Sequence, residues 1–157
     1  RFLAVDSKDY FEIIYTNEGN SINSISDIDE SQLNNGTAVE NFIFNYLDYL
    51  LWKTTTNFKN FEFTFRSSVE HYYPQNPMEG NKELEKEYLN NFGNLCLISS
   101  SKNSRLSNYM PQAKKDHYQN STSIDSIKQR IMMTETKWSK QEITNHNEQM
   151  KKILLNI

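Results

Sequence analysis

Apolar residues fall at Val39, Phe42, Ile43, Tyr46, Leu47, Leu50 and Leu51, three or four apart, with Glu40, Asn41, Asn45 and Asp48 between them. That spacing stacks them along one stripe of a 3.6-residue helix. Thr37 followed three positions later by Glu40 makes a capping-box pattern, so a helix is predicted from about Thr37 to Lys53. The period then changes. Phe61, Phe63 and Phe65 alternate with Glu62, Thr64 and Arg66, which predicts a strand with one buried face. This strand runs straight into Val69-Glu70-His71.

Downstream, Gly80 breaks the chain, "NKELEKEYLNN" predicts a short exposed helix ending before Gly93, and "NLCLISS" predicts a second strand. "SKNSRLSNYM" predicts a short helix that stops before Pro111. Two further helices close the chain. The first spans about Thr122 to Met133 with Ile124, Ile127 and Ile131 on one face. The second opens on a Ser139–Glu142 capping box and continues through Ile143, Met150, Ile153 and Leu154. Upstream, residues 1–15 carry apolar positions without a clean period, and Asn17 to Asn35 is a polar stretch expected to be loop. The fold class is therefore α+β, mainly helical: a two-stranded β-hairpin and a short helix embedded among longer helices.

The chain's 157 residues suffice for one core, and the 36% hydrophobic share is offset by nine Phe and nine Tyr. The aromatic rows and Trp52 and Trp138 are expected in that core. A net charge of −3 does not predict a protein that coats nucleic acid by charge alone, so any such contact must be local. The single cysteine, Cys96, excludes an internal disulfide and a Cys-rich zinc knuckle, in keeping with a cytoplasmic setting. No apolar run is long enough to span a membrane, and no signal-peptide pattern opens the chain. The chain starts "RFLAV", without Met, as expected of a piece of a longer protein.

The order is thus strand, Glu70-His71, loop, strand, short helix, with Asn94 opening the second strand and Asn103 nine residues later on the helix. This arrangement resembles the HNH, or His-Me finger (ββα-metal), nuclease motif. "NYLDYLLWK", "VEHYYPQNP", "FGNLCLISSSKNSRLSN" and "AKKDHY" together resemble the His-x-x-Pro nuclease domain at the C-terminus of GmrSD-type, modification-dependent restriction proteins. The resemblance implies a metal-dependent DNA endonuclease domain over residues 37–157, with its motif core at 61–115. It makes residues 1–36 the tail of a linker region, and implies an N-terminal ParB-like, nucleotide-hydrolysing domain as partner. It also implies that Asn94 braces the loop holding His71.

The residue types suit that chemistry. Hydrolysing a phosphodiester needs a base to activate water and positive charge to stabilise the phosphorane and leaving oxygen. His71 is the candidate base, since an imidazole with a reference pKa near 6.5 is largely neutral at pH 7 to 8. Glu70 points to the other face of an extended backbone and is the candidate carboxylate ligand. Asn103 is the second oxygen ligand, suiting Mg²⁺ or Mn²⁺ rather than zinc. Asn108 is the alternative, placed about 140° from Asn103 on a regular helix. Many HNH motifs carry Asp where Glu70 stands and His where Asn103 stands; the amide favours a hard ion. Lys102, Arg105, Lys114 and Lys115 form the one basic cluster near the motif, a solvated face or a set of phosphate contacts with Arg105 foremost.

Each feature has a plainer reading. A lone Glu-His-x-x-Pro is more often merely hydrogen-bonded than catalytic. His117 is expected in solvent and His146 at a hydrogen-bonded helix interface. One of Tyr72 and Tyr73 is expected inside and one outside, and Pro74 and Pro77 to stiffen the loop. The rivals to a DNA endonuclease are an inactive scaffold that keeps the hairpin and an RNase using the same site.

Overall fold

The computed structural model describes residues 30–58 and 61–155. The readings of residues 1–29 lie outside the described residues. The end of the expected loop is ordered as a 3₁₀ turn at Glu30–Asn34, a second 3₁₀ turn follows at Gly36–Ala38, and Leu33 is fully buried.

Helix α1 runs Asn41–Thr54. Thr37 lies in the preceding 3₁₀ turn, so the expected capping box does not form; Glu40 is itself the N-cap and makes no side-chain cap. The buried stripe is Ile43, Phe44, Leu47, Asp48 and Leu51, whereas Tyr46 and Trp52 lie at the surface. The stripe turns toward Asp48 because that carboxylate is held inside. It pairs with the Arg66 guanidinium and accepts from the Lys128 N–H at 2.9 Å.

This buried pair also explains why residues 61–66 do not form the expected strand. Alternation would send Phe61, Phe63 and Phe65 inward and Arg66 out. Instead Arg66 is buried, donating also to the Asp125 carbonyl at 2.6 Å, while Phe63 is 50% and Phe65 88% exposed. Leaving the Asp48 charge unpaired inside would cost more than exposing two rings. Phe61 alone of the three rings joins the core.

Strand β1 is Ser68–His71 and strand β2 is Leu95–Ile98, paired antiparallel with Glu70 opposite Cys96 and His71 opposite Leu95. All four β2 residues are buried because both faces are covered. Leu95 and Leu97 pack with α1, α5 (Ile127–Met132) and α6 (Lys140–Leu155); Cys96 and Ile98 pack with Tyr72, Leu106, Met132 and Trp138. Trp138 is therefore core, as expected, and the apolar run of β2 follows from its position between two layers.

The remaining helices are α2 (Lys86–Leu89), α3 (Ser100–Leu106) and α4 (Pro111–Tyr118). Helix α4 was not legible in the sequence: Pro111, read as a stop, sits in its first turn, where a missing N–H costs nothing. Helix α5 starts later than expected, with Ser126 as N-cap accepting from the Gln129 N–H at 3.2 Å. Helix α6 follows the expected capping box, Ser139 N–H donating to Glu142 Oε2 at 2.9 Å. His146 is buried on it, but Nε2 has no hydrogen-bond partner; its ring meets Trp138 edge to face at 5.6 Å. Burial holds His146 well below the usual histidine range and hence neutral. Among the described residues, no helix is long and apolar enough to cross a membrane.

Candidate active site

Strand β1 projects Glu70 and His71 to opposite faces, and the short turn after it brings both, with Pro74, to the wall of one groove of about 510 Å³. Asn103, Ser107 and Asn108, from α3 and the turn beyond it, form the facing wall. Sequence positions 70, 71, 103 and 108 thus meet in one place.

Glu70 is nearly buried. One oxygen, Oε1, accepts from the Lys114 ammonium at 2.5 Å, and the same ammonium donates to the carbonyls of His71 at 2.7 Å and Tyr72 at 3.0 Å. Lys114 is fully buried, so it departs from the expected phosphate contact: its charge is spent on fixing Glu70 and the backbone just after it. Burial raises the Glu70 carboxyl above its usual range, and Lys114 opposes that rise.

Asn103 donates from Nδ2 to the Ser68 hydroxyl at 2.6 Å, so its carbonyl oxygen is the atom left to offer the groove. Ser68 stands two residues before Glu70 on the same strand face, which ties the amide to the side of β1 that carries the carboxylate. Asn108 does not lie on the helix, so the angular argument separating it from Asn103 does not apply. Helix α3 ends at Leu106, and Ser107 follows at φ +44°, ψ −125°, a left-handed conformation costly for a non-glycine residue.

Asn94 is completely buried. Its Oδ1 accepts from the Tyr73 N–H at 2.8 Å and Trp138 Nε1 at 3.0 Å, and its Nδ2 donates to the carbonyls of Tyr73 at 3.1 Å and Leu89 at 2.9 Å. All four hydrogen-bonding positions of the amide are filled. Asn94 therefore has no polar atom to spare, and it clamps the backbone two residues beyond His71.

His71 is half-buried, and burial lowers its pKa below 6.5; the Asn90 hydrogen bond raises it and the Lys114 charge lowers it. Its Nε2 lies 3.0 Å from Asn90 Oδ1. Asn90 and Ser68 were missed in the sequence because nothing in "YLNN" or "RSSV" distinguishes them from other polar loop residues.

The basic cluster is dispersed. Lys102 is buried over the Tyr118 ring at 4.6 Å, with Asp125 at 3.9 Å, and Lys115 donates to the Glu135 carbonyl at 2.9 Å. Neither matches the expected open phosphate contact; Arg105 is the member exposed to solvent. His117 is exposed, as expected, and stacks on Tyr109 at 5.5 Å.

The family model described as the C-terminal domain of GmrSD restriction endonucleases matches residues 22–153. The chain belongs to this family. As a GmrSD C-terminal domain it is part of a restriction endonuclease, for which DNA is the implied substrate. The match begins within the segment expected to precede the domain, consistent with Leu33 lying in the core. No curated protein and no solved structure matches the chain.

Proposed function

We propose that this GmrSD C-terminal domain hydrolyses DNA phosphodiester bonds at the groove beside β1, by HNH-type chemistry with one divalent ion, Mg²⁺ or Mn²⁺. The observation that carries the reading is the convergence of Glu70, His71 and Asn103 on one groove, above an Asn94 whose amide is wholly committed to holding the His71 loop.

The donor set fits a hard ion. Glu70 has one oxygen beyond the Lys114 pair, and Asn103 has its amide nitrogen occupied and its carbonyl oxygen left over. Among the described residues no cluster of three His, Cys, Asp or Glu is present to cage a metal, so water and phosphate would complete the shell, as Mg²⁺ prefers. Glu70 and Asn103 would hold the ion, with Asn108 as the alternative to Asn103. When bound, the ion supplies positive charge to the phosphoryl oxygens and the leaving oxygen.

The chain's own residues do the rest. His71, neutral at pH 7, takes the proton of the attacking water. Lys114 holds Glu70 in place, Asn94 fixes the loop, and Arg105 contacts a phosphate. The proposal includes a role in phage defence, a cytoplasmic location, and a preceding ParB-like nucleotide-hydrolysing domain that captures DNA and reads modified bases. The acidic balance of this domain supports that division of labour.

The test is plasmid nicking with Mg²⁺ or Mn²⁺. His71→Ala is expected to lower the rate by about 10²-fold or more, with the far-UV spectrum and melting temperature kept. Undiminished cleavage by that variant removes His71 from the mechanism.

A further inference from the structure

A neutral imidazole carries one N–H and one lone pair, and it serves as a base only if the lone pair faces the water to be activated. At His71 the choice between the two nitrogens is set by a neighbour. Nε2 lies 3.0 Å from Asn90 Oδ1, and an amide oxygen only accepts, so Nε2 carries the hydrogen and the lone pair is left on Nδ1.

Asn90 is itself held. It is the C-cap of α2, its backbone N–H donating to the Lys86 carbonyl at 2.9 Å. On its other side it packs against Gly36, which adopts φ +57°. A Cβ placed on Gly36 would meet Asn90 Cβ at 3.2 Å and Oδ1 at 3.6 Å. The left-handed backbone and the close approach together favour glycine there. Gly36 leads into Thr37, which lines the groove.

The segment from Leu89 to Asn94 thus grips the His71 region twice: through Leu89 O and Asn94 it holds the backbone at Tyr73, and through Asn90 it holds the ring. We propose that Asn90 is a positioning residue of this site, locking His71 as the Nε2–H tautomer so that Nδ1 is the proton acceptor. This rests on the reading of His71 as the base. Because Asn90 faces solvent, its replacement removes the tether without opening a hole in the core.

The experiment is ¹⁵N imidazole NMR of the domain across pH, with His71 assigned by comparison with His71→Ala, alongside plasmid cleavage. In the unaltered protein His71 is expected as the Nε2–H tautomer. In Asn90→Ala the tautomers mix and kcat falls about tenfold, while KM for plasmid and the melting temperature stay put. In Asn90→Asp the acceptor is kept, and so is the tautomer. An unchanged tautomer in Asn90→Ala overturns the proposal, as does a changed tautomer with undiminished kcat. The NMR result needs no turnover, so it is judged apart from whether His71 is the base, which the cleavage assay of His71→Ala decides.

Discussion

At the scale of single residues, the site is a set of groups whose spare valences have been assigned. Asn94 has none left, Asn103 has its carbonyl oxygen, Glu70 has one oxygen, and His71 has one ring nitrogen. His71 has its pKa lowered chiefly by burial, with the buried Lys114 charge adding to the fall and the Asn90 contact opposing it. A base works when deprotonated, so a lowered pKa keeps it competent at more acidic pH. Cleavage measured at saturating metal is therefore expected to be flat around neutrality and to fall on an acid limb whose midpoint lies below 6.5. A limb centred above 6.5 would place a group other than His71 in control.

At the scale of elements, the hairpin matters because it is wedged between two apolar layers. The 3₁₀ turn Phe92–Asn94, which delivers Asn94, lies against α6 with no slack: a Cβ on Gly93 would sit 2.1 Å from the Ile143 carbonyl and 2.9 Å from the Asn147 backbone nitrogen. Both obstacles are helix backbone, which cannot swing aside as a side chain does. Gly93→Ala is expected to cost about 3 kcal/mol in urea unfolding, at the upper end of overpacking penalties. It should also reduce cleavage, since Asn94 moves with the turn. A loss under about 1 kcal/mol would mean that α6 rides loosely on the turn.

The same scale explains what could be read from the sequence. The strand–Glu-His–strand–helix order and the partners Asn94 and Asn103 were legible because they are local patterns with fixed spacing. The burial of Asp48, Arg66, Lys114 and Lys128 was not. Asp48 and Arg66 pair with each other, Lys114 pairs with Glu70 and Lys128 donates to the Phe92 and Leu95 carbonyls, all partners far away in the chain, and a hydropathy pattern counts each as surface. The misread of Phe61 to Arg66 is the direct result: the Asp48 charge draws Arg66 inside, and neither alternating side of the segment faces the core as a whole.

At the scale of the whole molecule, Lys128 joins the layers. It is fully buried on α5, donating to the carbonyls of Phe92 at 2.6 Å and Leu95 at 2.5 Å and lying 4.6 Å from the centre of the Phe92 ring. It so pins α5 to both ends of the turn that carries Asn94. Burial pulls its pKa from 10.5 down to about 7, with Cys96 and Asp48 opposing. The unfolded chain keeps this proton across pH 7 to 10 while the folded chain releases it above about 7. Stability conferred through this group therefore rises with pH over that window and is least below it. Cys96 acts in the opposite sense: burial pushes its thiol from 9.0 up to about 12, so its contribution declines once pH passes 9. Lys128→Met isolates the first effect. Between pH 7 and 8.5 the unfolding free energy of the unaltered domain is expected to gain about 1.6 kcal/mol relative to that of Lys128→Met, slightly less than one full proton's linkage because the folded lysine is half-protonated at pH 7. Parallel stability curves would mean that Lys128 remains an ammonium throughout, its two carbonyl acceptors outweighing the loss of water.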